Sequence, residues 1–325
     1  MSKLQEAIQP ITTERTGGGT LVAFLALVLI GGSNAVAVRF SNLELPPFWG
    51  AASRFLAAAA IFWVILLVMR AGLPKGKALV GSILYGALSV GASYALLYWA
   101  LLEIQASLAI VILSLNPLLT MLFAVLHGIE RFRWRSLAGS LLAMVGIAIG
   151  IGAEFGQSLP VFSLVALIAG VVCIAEGSVV FKLFPGTKPL PTNVVAVTTG
   201  GIILALVSLI AGESWSLPSE PATVVAFGYL VVFGSVVLFY LYLLVLSRWT
   251  ASATSYAFLL FPIATIAIAA LIADERVTGG FLVGAGIALA GIWIGAFTKV
   301  PEEAAVRDRF SATAEGCDPP QPGCA

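Results

Sequence analysis

The sequence predicts an all-α integral membrane protein of ten transmembrane helices arranged as two inverted five-helix repeats. Three observations predict it. Of 325 residues, 60% are apolar and 10% charged, and the mean hydropathy is +1.04. Soluble domains carry roughly 25% charged residues, so this chain cannot wet the surface of a globule and must use lipid as solvent. Charged and Pro/Gly-rich breaks then divide it into ten apolar runs of about 20 residues, the length that covers the hydrocarbon core. Finally, a constant shift of 145 residues superposes much of the second half on the first, as Pro262 on Pro117. The runs do not alternate polar and apolar residues, which excludes a lipid-facing β-barrel.

Taken in order, the first five spans cover 20–40, 47–69, 77–102, 105–128 and 134–152, and the second five cover 161–184, 191–211, 223–247, 251–273 and 278–298. The expected layout is a cytoplasmic segment 1–19, repeats at 20–152 and 161–298, and a polar, disordered cytoplasmic tail 299–325. Residues 21–30 followed by Ala35-Val36-Ala37 have the outline of a signal peptide, but mixed charges (Lys3, Glu6, Glu14, Arg15) precede them. The repeat also requires a first helix, so span 1 is expected to be retained.

Basic residues choose the orientation. Lys3, Arg15, Arg70, Lys75, Lys77, Arg131, Arg133, Arg135, Lys182, Lys188, Arg248, Lys299, Arg307 and Arg309 fall on one side of a ten-span weave, and only Arg39 and Arg276 on the other. The positive-inside rule places both termini in the cytoplasm of a cell whose plasma or inner membrane holds the protein. Three cysteines and one histidine are too few for a disulfide framework or a zinc site, so neither metal nor cofactor is expected. A net charge of +1 gives no hint of nucleic acid. No Walker motif is present, and one histidine with one deep acid cannot assemble an intramembrane enzyme. No ring of acids suggests a cation channel.

The repeat aligns Glu130-Arg131 with Glu275-Arg276, Gly139 with Gly284, Gly146 with Gly291 and Gly150 with Gly295. Near the start of each half the offset drifts to 143, pairing Ser33-Asn34 with Glu176-Gly177. Five spans is an odd number, so the second unit enters the membrane from the opposite side. Secondary carriers use this construction to make two oppositely open states around a midplane site. The Gly146/Gly150 and Gly291/Gly295 pairs permit close crossings, within each half or at a dimer face, so the chain is read as monomer or homodimer.

Ile30-Gly31-Gly32-Ser33-Asn34, Ser53-Arg54-Phe55-Leu56, Leu113-Ser114-Leu115-Asn116-Pro117-Leu118, Ile129-Glu130-Arg131 and Asp274-Glu275-Arg276 resemble motifs of EamA-type members of the drug/metabolite transporter superfamily. The resemblance spans 20–298, with Gly31 where an aromatic residue often stands. It implies a ten-helix carrier, usually an exporter of amino acids or other small metabolites, with a central cavity between the halves. Exchange of phosphorylated metabolites or nucleotide sugars is the alternative. That would need several cavity cations, whereas only Arg54 and Lys182 are candidates.

Polar groups at membrane depth are the candidate site. Arg54, about two turns into span 2, either clamps carbonyls and snorkels or holds a substrate carboxylate. Glu176, the one acid deep in a span, either packs or carries a proton as coupling ion. About 12 Å of axial offset separates the two. Asn34, after Gly31-Gly32, and Asn116 offer donors and acceptors to a ligand or a neighbour. Tyr94, Tyr98, Tyr240 and Tyr256 suit the aromatic wall of a metabolite site, or simple packing. His127, ending span 4, is read as an interface residue rather than a proton relay. Gly31, Gly32, Pro117 and Pro262 are hinge candidates, the prolines at matching depths.

Overall fold

A computed structural model of the chain describes residues 18–104, 106–151, 160–272 and 279–297. The N-terminal segment 1–17, Gln105, the Asp274-Glu275-Arg276 loop and the tail from residue 298 lie outside the described residues.

Among the described residues every regular element is helical: α1 Gly18–Ser41, α2 Pro47–Val68, α3 Lys77–Ala100, α4a Ala106–Leu113, α4b Asn116–Leu126, α5 Trp134–Ile151, α6 Val161–Leu183, α7 Pro189–Ile210, α8 Pro221–Arg248, α9a Ala251–Ser255, α9b Ala257–Ile272 and α10 Gly279–Ile292. Six stretches among the described residues are long and apolar enough to cross a membrane: α2, α3, Ala109–Leu126, α6, α7 and α8. Shorter apolar helices cover Gly18–Asn34, Trp134–Gly150, Ala251–Thr265 and Leu282–Gly295. α2, α7 and α8 each begin with proline, whose fixed φ suits the first helical turn and whose missing N–H is no loss there.

The helices run up and down, so the loops after α2, α4b, α6 and α8 share one end, here the basic end, and those after α1, α3 and α7 share the other. The halves meet along their glycines. A Cβ on Gly139 would lie 2.5 Å from the Gly291 carbonyl, and one on Gly284 would lie 2.4 Å from the Gly146 carbonyl. These are the same contact read from each side of the repeat. They pack α5 antiparallel to α10 with backbones touching, because no side chain intervenes. The glycine pairs therefore join the two halves to each other rather than tightening each half.

The first helix of each half is gripped by the opposite half. α1 packs on α8 and α9b, and α6 packs on α3 and α4b. Gly31 receives the Phe261 ring, Gly32 faces Ala264, and Thr265 Oγ1 donates to the Gly32 carbonyl at 2.8 Å. Gly177 leaves space filled by Ser89, while Gly234 leaves space filled by Asn34. By the offsets of the repeat, Gly177 corresponds to Asn34 and Ser89 to Gly234. The polar residue and the glycine have exchanged helices between the two copies.

α3 and α8 are each interrupted by one π-helical turn, Ala87–Ala92 and Val232–Val237, at the 145-residue offset. α4 and α9 are broken differently. The first stops at Ser114-Leu115, before Asn116-Pro117; the second stops at Tyr256, and Pro262 sits inside α9b. The prolines match in sequence but the breaks do not match in depth. Pro262 instead lies beside Gly146, Gly150 and Gly284 of the α5–α10 crossing.

Candidate functional site

α2 carries Arg54 inward from Pro47 by seven residues, roughly 10 Å. Phe55 packs edge-on against Tyr94 of α3 and Phe239 of α8, at 4.9 and 5.5 Å between centroids, and Tyr94 stacks with Tyr98 at 6.2 Å. The guanidinium carbon lies 4.6 Å from the Phe55 centroid and 5.2 Å from that of Tyr94. Arg54 is 1% exposed, the only charged side chain among the described residues that is buried outright. By hydrogen-bond geometry none of its three nitrogens has a partner among the described residues, although the Tyr94 side chain is close enough to interact with it electrostatically. A cation–π contact contributes about 2 kcal/mol when desolvated, whereas burying an unpaired ion costs several. The aromatic walls therefore steady the guanidinium without satisfying its donor fork. An acceptor, and best an anionic one, would complete it.

A second constellation joins α4b to α6. Glu176 Oε1 meets His127 Nε2 at 3.3 Å, and His127 Nδ1 lies 2.9 Å from the Phe123 carbonyl. Glu176 thus pairs with His127, and Arg54 has no ion-pair partner among the described residues. The reading of His127 as an interface residue missed this partner. The available signal was helical register: His127 falls eleven residues after Asn116, on the same face of the helix. Asn116 and Thr120 on that face are 0% exposed, and their side-chain polar atoms lack partners, as does Glu176 Oε2.

The remaining candidates divide. Asn34 points its unpartnered, buried Oδ1 at Gly234, and its neighbour Ser33 shares a 2.5 Å hydrogen bond with Tyr229 of α8. Gly31 and Gly32 are occupied as contact surface for α9b. Tyr240 is 38% exposed, while the adjacent Phe239 is the residue that faces Arg54. Tyr256 is 2% exposed but belongs to the α5–α10 region, with its hydroxyl 3.2 Å from Ser140 Oγ and donating to the Ser136 carbonyl. Neither Tyr240 nor Tyr256 joins the Arg54 cluster.

Loop carboxylates close the two ends, and none of them was singled out as a functional group. Away from the basic end, Glu213 accepts from the backbone N–H of Phe48 (3.1 Å) and Trp49 (2.7 Å) and from Ser208 Oγ (2.7 Å). Trp49 stacks on Trp215 at 4.5 Å and donates Nε1–H to the Ser216 carbonyl. Glu44 accepts from the Ser219 hydroxyl and from the N–H groups of Ser219 and Glu220. At the basic end, Glu130 accepts from the Ser252 N–H at 3.1 Å, and Arg248 donates to Thr20 Oγ1.

A sequence model of the EamA-like transporter family matches the chain twice, over residues 17–151 and 161–296. Among curated proteins, the "Uncharacterized inner membrane transporter YedA" of Escherichia coli (strain K12) is 28% identical over 244 residues, covering 73% of this chain and 77% of that one. The "Probable amino-acid metabolite efflux pump" of the same strain is 26% identical over 287 residues, covering 85% and 94%. The "Uncharacterized transporter YdeK" of Bacillus subtilis (strain 168) is 29% identical over 283 residues, covering 85% and 95%. A crystal structure with 19% sequence identity superposes with a TM-score of 0.71, covering 86% of this chain and 96% of that one, which shows a shared fold.

Proposed function

The chain belongs to the EamA-like transporter family, and from that premise we propose that it is a secondary carrier exporting a small carboxylate-bearing metabolite of the amino-acid kind by alternating access. In this reading all ten helices span the plasma or inner membrane as two inverted repeats, 20–152 and 161–298. The segment 1–19 and the tail 299–325 then lie in the cytoplasm, as the basic residues argue. The relative named as an amino-acid metabolite efflux pump supports both the direction and the class of cargo.

One observation carries the cargo assignment. Arg54 is buried and unpartnered, with a wall of Phe55, Tyr94, Tyr98 and Phe239. A single guanidinium suits a single carboxylate, bound bidentately, with the aromatic rings taking the organic remainder. A sugar phosphate or nucleotide would require more positive charge than one arginine supplies. Asn34 and Asn116 are the further candidates for cargo contact. Gly31, Gly32 and the segments around Pro117 and Pro262 are proposed to move as α1 and α6 exchange partners.

The test is counterflow in proteoliposomes with L-amino acids, their methyl esters and a set of sugar phosphates. The free acids should move and the esters should not. Arg54→Gln should raise the half-saturating concentration of the acids about 10–100-fold, the worth of a hydrogen-bonded charge pair of roughly 1.5–3 kcal/mol. Equal transport of acid and ester by the native chain would overturn the assignment.

A further inference from the structure

The His127–Glu176 contact cannot be drawn without a proton. The Phe123 carbonyl only accepts, so its 2.9 Å contact requires the N–H of His127 to be on Nδ1. A neutral ring then has a bare lone pair on Nε2, and Nε2 lies 3.3 Å from Glu176 Oε1, within ion-pair distance. An imidazole lone pair and a carboxylate oxygen repel one another. One proton between them turns the repulsion into a hydrogen bond, written either as imidazolium with carboxylate or as imidazole with carboxylic acid.

The surroundings suit a site that loads and unloads. The side chains of His127 and Glu176 are 37% and 26% exposed, and His127 ends α4b at the basic end. Inward from it, Thr120 and Asn116 continue the same face of α4b, buried and unpartnered. Glu130, three residues after His127, and Lys182 of α6 feel one another's charge, and Lys77, Arg135 and Arg248 lie on flanking helices. Tyr242 of α8 is bonded to Ser178, two residues beyond Glu176.

We infer that His127 and Glu176 form the proton site of the carrier. One proton enters from the basic end and is held between Nε2 and Oε1, tying α4b to α6. Its departure as H⁺ lowers the charge of the pair by one and leaves a lone pair against a carboxylate. That repulsion loosens α4b from α6, so the movement of the helices becomes linked to the movement of the proton. The inference rests on the carrier reading above and deepens it by naming the coupling ion and its seat.

His127 is the only histidine of the chain, so nitrogen-15 histidine labelling gives one imidazole, and its spectrum reads this site directly in lipid nanodiscs. The expected native spectrum has Nδ1 protonated and Nε2 in a shared hydrogen bond. In Glu176→Gln the carboxamide N–H donates to Nε2, and the signal moves to that of a neutral acceptor. In proteoliposomes containing the pH dye pyranine, an imposed gradient of mixed L-amino acids should drive proton flux. Glu176→Gln and His127→Asn should each lose that flux. A ring protonated on Nε2 alone, or undiminished proton flux in both variants, overturns the inference. If the native chain moves no amino acid, the cargo reading fails by itself and the imidazole spectrum still decides the proton site.

Discussion

The two ends of the helix bundle are closed by carboxylates, but by different chemistry. Away from the basic end, Glu213 and Glu44 accept from backbone N–H groups, and the Trp49–Trp215 stack lies between them. Backbone amides do not titrate, so these contacts persist unless the carboxylates themselves are protonated. At the basic end, Glu130 makes a single contact of that kind, to Ser252, while Glu176 meets an imidazole that can gain or lose a proton. With the proton site proposed above, a fixed latch at one end and a proton-dependent one at the other would make a bundle whose two closures answer to different signals. This asymmetry adds to the unequal breaks of α4 and α9 on a repeat whose α5–α10 glycines are reciprocal.

The largest effect expected is at the fixed latch. Glu213 satisfies two free N–H groups of the first turn of α2 and anchors the loop after α7, so Glu213→Ala removes an N-terminal cap and a loop tether together. We expect about 2 kcal/mol of lost stability, read as a lower thermal midpoint in detergent. Glu130→Ala, with one backbone contact at a helix start that Thr250 also caps, should cost about half as much. Equal losses would remove the distinction between the ends.

This pattern was partly legible in the sequence. Pro47 marked the start of α2 to the residue, and the 145-residue offset singled out the α5 and α10 glycines, though as contacts within each half or at a dimer face rather than between the halves. What could not be read was rotation about a helix axis and the choice of neighbour. Tyr240 and Phe239 differ by one residue, about 100° of rotation, and only packing decides that the phenylalanine faces Arg54. Glu176 and His127 are on different helices, and nothing in a linear pattern names one as the partner of the other. The break in α9 was unreadable for a related reason. Proline frees one carbonyl, but here the helix stops at Tyr256, which the α5–α10 region holds through Ser140 and Ser136.

A smaller effect tests whether the ends of α2 and α7 are one motif with different fillings. Both helices stop through a left-handed residue, Arg70 with φ 49° and Gly212 with φ 69°, and the following N–H returns to Leu66 and Ser208 respectively. Glycine adopts this backbone freely, whereas a side chain makes it strained by roughly 1 kcal/mol. Arg70→Gly should therefore stabilise the chain by about 0.5 kcal/mol once the added freedom of the unfolded glycine is discounted. Urea unfolding in mixed micelles measures it. Arg70→Asn, which loses the charge but tolerates the same backbone, separates strain from electrostatics. A loss of stability in both variants would mean that the guanidinium matters at this end more than the strain does.

The smallest effect concerns Glu44, and there the sign of the pH dependence follows from its partners. Hydrogen bonds from the Ser219 side chain, and then from its backbone N–H, hold the Glu44 carboxyl below its ordinary value of 4.5. A group whose pKa is lower in the folded state stabilises that state above the unfolded pKa and loses the contribution as pH falls through the folded one. The latch at this loop should therefore be indifferent to pH around neutrality and open only in acid, below 4.5. Because the carboxylate sits in a surface loop, salt screens part of the effect. A nitroxide on Leu217→Cys, an 80% exposed position in the same loop, reports its mobility in a background without other cysteines. Its spectrum should stay constant through neutral pH and sharpen in acid, and Glu44→Gln should show the sharper spectrum at every pH. A change at neutral pH that Glu44→Gln leaves untouched would mean that this loop follows a different proton, and the contrast between a fixed end and a titrating end would fail.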